Sequence, residues 1–244
     1  MKDSYFDDAL SDFDGNYRKK KITNLCISAI IVLLGVSSFI YGLHIEPALT
    51  IFRFMTVDGT LFTTIGSLIY IVANLVEIWK KTEVTNIIVY YIRLSSAVAE
   101  TVIFIVVMFS QLPFFPEHLP VVDRYDSFVM HVLVPILGVS SFLVNDSPIG
   151  KLSAFNRFHG TWFITCYACT IFTMIGTGSL EHDLIPYFFL DVANNPWYIT
   201  VIAFIFIYGS AYMMAWTLSE WNRKLSWLWF KDVFRRSNNK GGNE

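Results

Sequence analysis

"RKKKITNLCISAIIVLLGVSSFIYGL", residues 18–43, decides the fold. Four consecutive cations, Arg18, Lys19, Lys20 and Lys21, lead into an apolar run from about Ile22 to Leu43. That run has the length a helix needs to cross a hydrocarbon layer of about 30 Å. It does not read as a cleaved leader. Five aspartates (Asp3, Asp7, Asp8, Asp12 and Asp14) precede the cations, and no small-residue cleavage site follows the run. The run is therefore expected to stay as a membrane helix, with residues 1–21 forming an acidic, then basic, disordered tail.

Working outward, the same pattern recurs. The 244 residues are 54% hydrophobic and only 16% charged, where a soluble domain carries about a quarter charged residues. Further apolar runs span about Phe54–Trp79, Ile87–Leu112, Phe128–Val144, Phe158–Ser179 and Trp197–Leu218. The expected fold is all-α, a polytopic six-transmembrane-helix bundle over residues 22–224, with short connections that make consecutive helices antiparallel neighbours. Cys26, Cys166 and Cys169 all fall in apolar runs, so no disulfide framework is expected.

The cations are sorted by face. Five Lys and Arg precede the first run, Lys80 and Lys81 follow the second, Lys151 and Arg157 lie between the fourth and fifth, and six follow the sixth. The opposite face has only Arg53 and Arg124, and Arg93 lies inside the third run. By the positive-inside rule both termini are expected in the cytoplasm of a cell whose plasma membrane the chain spans. Residues 225–244 begin "SWLWFKDVFRR" one residue inside that boundary, mixing large apolar side chains with cations. They are expected to form an interfacial amphipathic helix and a basic tail.

Polar residues at membrane depth are costly, so they mark candidate sites. The stretch "FRFMTVDGT", residues 52–60, places Arg53, Thr56, Asp58 and Thr60 at the start of the second run. The second and fourth runs point the same way, so Thr56 and His131 share one depth near the outer leaflet. A hydroxyl and an imidazole at one level are the minimal parts of a nucleophile and its base. Pro135 deprives the His131 carbonyl of its helical donor, which is expected to kink the helix beside the imidazole. A plainer reading also fits: a histidine beside a kinking proline, satisfied by a neighbouring hydroxyl. Asp58 has three open roles, orienting His131, pairing with Arg53, or capping its helix. Arg93 and Glu100, two turns apart on one face, are expected to pair with each other or with Asn74 or Asn86, or to line a proton or substrate path.

Other chemistry is not indicated. Cys166 and Cys169 form C-x-x-C inside an apolar run, where small-residue packing is the expected role. The five histidines form no pair for a haem without using loop residues. Phosphate-loop, dinucleotide-binding, H-E-x-x-H and G-x-S-x-G motifs are absent from the sequence. No cofactor and no metal site are expected. A net charge of −2 gives no reason to expect a nucleic-acid partner.

"FRFMTVDGTLFTTIG", "FVMHVLVPILGVSSFLVND" and "IPYFFLDVANNPWYI" resemble three blocks of the bacterial six-span family informally written Pr-six-Pr. They are more distantly similar to the androgen-induced protein family of eukaryotes. The resemblance covers residues 22 to about 224. The eukaryotic members are integral-membrane hydrolases of fatty acid esters of hydroxy fatty acids that use a threonine and a histidine. Carried over, those roles fall on Thr56 and His131. Gly59-Thr60 and Ser141-Phe142 depart from the pattern, which has Ser-Asn and Asp-Trp there. Tyr187 and Asp191 match the last block, and Asp191 is expected at the outer mouth of the bundle, orienting His131 or holding a loop.

Two functions are therefore expected in competition. One is a hydrolase of lipid-like, fatty acyl esters, with Thr56 as nucleophile, His131 as base, and Asp58, Asp191 and Arg53 in support. The other is a non-enzymatic carrier, or a lipid- or partner-binding protein, using Glu100, Arg93 and His131. The two three-span halves show no repeat and no matched pair of broken helices, which weighs against a carrier. In either case the partner is a membrane lipid or lipid-like ester, and the oligomeric state is open.

Overall fold

The computed structural model describes residues 2–45, 50–80, 87–111, 124–146, 150–181 and 184–240. Among these residues every regular element is helical. Six helices are long and apolar enough to cross a membrane: α1 at Lys19–Ile45, α2 at Met55–Lys80, α3 at Ile87–Phe109, α4 at Tyr125–Val144, α5 at Ala154–Gly176 and α6 at Trp197–Leu228. Alternating direction gives the bundle two ends. The threonine end gathers the starts of α2, α4 and α6. The basic end gathers Lys19, Lys80, Lys151 and Lys224.

Two helices run past their expected limits. One unbroken helix covers Lys2–Ile45, so the acidic segment read as a disordered tail has helical backbone continuous with α1. No proline interrupts it. Likewise Trp197–Lys240 is a single helix, so the segment read as a separate interfacial helix continues α6 directly. No proline or glycine lies between Leu218 and Lys240 to break it.

The most buried span is α3, which packs against α2, α4, α5 and α6. Its small and branched residues Leu94, Ala97, Val98 and Val102 meet Phe142 of α4, Phe163 and Ile164 of α5, and Ala211 and Ala215 of α6. α1 packs on α2 and α4 from the side. Large side chains such as Leu33, Phe109, Ile205 and Phe206 point outward. Small residues at the helix contacts let the backbones approach closely. Gly160 shows this: a Cβ there would lie 2.6 Å from Ala215 Cβ.

Pro135 acts as its chemistry predicts. α4 is α-helical over Tyr125–Phe128, π-helical over Val129–Leu133, and α-helical again over Val134–Asn145. The wider turn absorbs the donor that proline lacks. A second π-helical segment, Val106–Gln111, ends α3 at the same end of the bundle.

Candidate functional site

At the threonine end a short turn, Ile51–Arg53, leads into α2. The first amides of a helix lack internal partners, and here most are supplied. Met55 N–H donates to Tyr187 Oη (3.2 Å), and the Val57 and Asp58 amides donate to Phe54 O (3.1 and 3.3 Å). Thr56 N–H has no hydrogen bond among the described residues. From α5, Tyr167 Oη donates to Arg53 O (2.7 Å) and pins the turn. Burial pushes the Tyr187 phenol up to about 12, so it stays a neutral partner for the Met55 amide.

Half-buried Thr56 lines a cavity of about 110 Å³ between α2, α3, α5 and α6. Its walls are aliphatic and aromatic, with Val102, Ile103 and Val106 from α3, Ile164 and Ile171 from α5, and Phe204 and Ile207 from α6. Leu190 and Tyr187 come from the loop ahead of α6. Thr56, Tyr167 and Tyr187 bring the side-chain hydroxyls. Apolar walls with a few placed polar groups characterise sites for apolar ligands.

His131 sits on the π-helical turn of α4, outside the lining of that cavity. Its Nδ1 lies 2.7 Å from Ser127 O and 2.9 Å from Ser127 Oγ. A carbonyl only accepts, so Nδ1 carries the hydrogen and Nε2 is left as the basic nitrogen. Among the described residues no hydrogen bond joins His131 to Thr56, Asp58 or Asp191. The orienting partner expected from a carboxylate is thus the carbonyl one turn back on the same helix. Asp126 beside it is held by Arg124 (3.2 and 2.7 Å).

The supporting residues divide. Asp58 forms no hydrogen bond or ion pair among the described residues, so neither the cap nor the Arg53 pair is made. The Arg53 guanidinium lies over the Phe54 ring at 4.7 Å, and its Nε is buried without a partner. Asp191 is spent on its own loop, accepting from Asn194 N (3.2 Å) and Asn194 Nδ2 (2.9 Å).

Deeper in the bundle the α2 hydroxyls of Thr56, Thr60, Thr63 and Ser67 fall on one helical face. Ser67 Oγ accepts from Arg93 Nη1 (3.2 Å). Among the described residues Thr60 Oγ1, Thr63 Oγ1 and both Glu100 carboxylate oxygens are buried without a well-formed hydrogen bond, although the Thr63 hydroxyl neighbours the Glu100 carboxylate. Glu100 is fully buried. Gly138 of α4 leaves room where a Cβ would stand 3.5 Å from Thr63 Cγ2 and 3.9 Å from Glu100 Cγ.

Arg93 does not pair with Glu100, nor does it reach Asn74. Seven residues separate Arg93 and Glu100 along one helix, about 10 Å, and the arginine extends the other way. Its Nε meets Asp146 Oδ2 (3.0 Å) and its Nη2 meets Ser141 Oγ (2.8 Å). The Tyr70 ring lies beneath its guanidinium at 5.0 Å. Asp146 also accepts from Asn24 Nδ2 (3.0 Å) and, through its carbonyl, from Asn222 Nδ2 (2.8 Å). Asn74 Nδ2 instead donates to Tyr70 O (2.8 Å), and Asn86 lies outside the described residues. Sequence reasoning missed Asp146, Asn24 and Asn222. The one available signal was a polar residue near the same end of three separate runs.

Cys166 and Cys169 are free and exposed on the outer face of α5. Their carbonyls accept from Thr170 (3.0 Å) and Thr173 (2.7 Å) one turn on. Among the described residues no group of three or more His, Cys, Asp and Glu is placed to hold a metal ion. No family model, no curated protein and no solved structure matches this chain.

Proposed function

We propose that the chain is a multi-pass plasma-membrane protein, both termini cytoplasmic, that hydrolyses lipid-like fatty acyl esters at the threonine end. The observation that carries this is the position of Thr56. It brings a residue with a hydroxyl and an unpaired backbone amide to the lining of an apolar cavity suited to an acyl chain. The resemblance to the Pr-six-Pr and androgen-induced families supports the same residue.

In this reading Thr56 Oγ1 attacks the ester carbonyl carbon while its proton passes to His131 Nε2 through intervening water. The Thr56 amide, at the positive end of α2, stabilises the oxyanion. The intermediate collapses, the C–O bond breaks, and the leaving alkoxide takes the proton back from His131. Water, deprotonated by the same nitrogen, then releases the fatty acid and restores Thr56. Ser127 keeps the imidazole in the tautomer this needs.

A fluorophosphonate probe tests the reading. It should label the wild-type protein and fail to label Thr56→Ala. Equal labelling of both, or equal ester turnover, would overturn it.

A second reading is favoured by a different observation, the fully buried Glu100 carboxylate, which forms no ion pair among the described residues and has the Thr63 hydroxyl as its neighbour. A carrier would use such a group on its path. Solute flux into proteoliposomes that is lost in Glu100→Gln and kept in Thr56→Ala would establish this class instead.

A further inference from the structure

The basic end of the bundle carries a second pocket, of about 430 Å³, where the start of α5 meets α6. Phe204, in the wall of the threonine-end cavity, and Trp216, in this one, are twelve residues apart on α6, about 18 Å. The two sites are therefore separate. Four cations, Lys151, Arg157, Arg223 and Lys224, surround this pocket, with Glu220 as its one acid.

Glu220 arranges the arginines rather than cancelling the site. Its Oε2 accepts from Arg223 Nη2 (2.7 Å) and Nε (3.2 Å), and its Oε1 lies 3.9 Å from Arg157 Nη2. Lys151 and Lys224 have no ion pair among the described residues. Arg157 is the more informative cation. Its guanidinium lies over the Trp216 ring at 5.5 Å, and its Nε is buried with no acceptor. A buried, unmatched donor on a charged group is costly, and an anion in the pocket would relieve it.

The surroundings specify which anion. Partly exposed Trp216 and Trp221 line the pocket, the composition of an aromatic belt at a membrane surface. Away from it toward the threonine end, α6 exposes Met213, Phe206, Ile205 and Ile202, an apolar track for acyl chains. A soluble phosphate would need only the cations. A membrane lipid would use the cations, the tryptophans and the track together.

We propose that this pocket binds the phosphodiester headgroup of an anionic glycerophospholipid from the leaflet at the basic end. Arg157 and Arg223 grip the phosphate, and Lys151 and Lys224 supply charge at the rim. The binding does not depend on ester chemistry at Thr56.

The test uses the full chain in nanodiscs and in detergent. Phosphatidylglycerol nanodiscs should raise the thermal unfolding midpoint above that in phosphatidylcholine, and native mass spectrometry should show retained phosphatidylglycerol. Each cation removed should weaken retention about fivefold, the effect of one juxtamembrane charge. The exposed-site variants Lys151→Gln and Lys224→Gln test this while keeping the Glu220 hydrogen bonds to Arg223, and Arg157→Gln tests the buried donor. Equal midpoints in the two lipids, or unchanged retention in all three variants, would overturn the proposal. So would the same stabilisation by millimolar inorganic phosphate in lipid-free detergent, which would identify a soluble anion instead.

Discussion

Arg93 Nε donates to Asp146 Oδ2 at 3.0 Å, joining the middle of α3 to the end of α4, with both side chains nearly inaccessible. Around that pair, Asn24 of α1, Ser67 of α2 and Asn222 of α6 hold the same two residues or their backbone. Five of the six helices thus converge on one buried ion pair. Breaking such a pair from one side leaves an uncompensated charge and costs about 3–5 kcal/mol. Asp146→Ala should therefore lower the unfolding midpoint sharply in detergent. The double replacement Arg93→Met with Asp146→Leu should recover part of the loss, because no charge is then stranded.

Much of this architecture is legible in the sequence, and the rest is not, for physical reasons. Each span declares itself by the length of apolar chain that hydrocarbon demands, and Pro135 declares a local break that appears as a π-helical turn. Thr56 can be placed because it stands near the start of its run. The Arg93 partner could not be read, because one helix offers Glu100 at helical spacing while the true partner lies 53 residues away. The Ser127 contact to His131 was within reach, being a carbonyl four residues back. It answers to the plainer expectation of an imidazole beside a kinking proline satisfied by a neighbouring hydroxyl, here Ser127 Oγ at 2.9 Å.

Gly160 brings α5 against α6. A Cβ at this position meets Ala215 Cβ at 2.6 Å, with Leu94 Cγ and Val98 Cγ2 behind it. None of these is the free end of a flexible chain, so Gly160→Ala should destabilise by about 1–3 kcal/mol. Ala215→Gly on the same background removes the clashing methyl. A double-mutant cycle on the unfolding midpoint should show coupling well above that of distant pairs.

Among the described residues the Glu100 carboxylate has the Thr63 hydroxyl beside it but no well-formed hydrogen bond for a neutral amide to lose. Glu100→Gln should leave the unfolding midpoint unchanged or higher. Glu100→Ala should lower it by opening a cavity beside Thr63 and Gly138. A steep loss in Glu100→Gln would instead mean that the carboxylate holds a stabilising partner, such as a bound cation, in the membrane.

The His131 and Ser127 pair separates orientation from chemistry. Under the proposed mechanism His131→Gln removes the base and should lower ester turnover by about a hundredfold or more. Ser127→Ala deletes only the hydroxyl and keeps the carbonyl 2.7 Å from Nδ1, so turnover should fall much less. Equal losses in the two variants would show that the hydroxyl, rather than the carbonyl, sets the imidazole.

The cavity should act as a ruler for substrate length. Ala168 stands on its α5 wall and is almost fully buried, so Ala168→Phe fills space that an acyl chain would take. Short-chain esters need little of that space and reach Thr56 from its mouth. Turnover of long-chain esters should therefore drop in Ala168→Phe while turnover of acetyl or butyryl esters persists. Small-probe labelling of Thr56 should continue, which shows that the variant is folded. Parallel loss across all chain lengths, with labelling intact, would place the acyl chain elsewhere and detach the cavity from the chemistry.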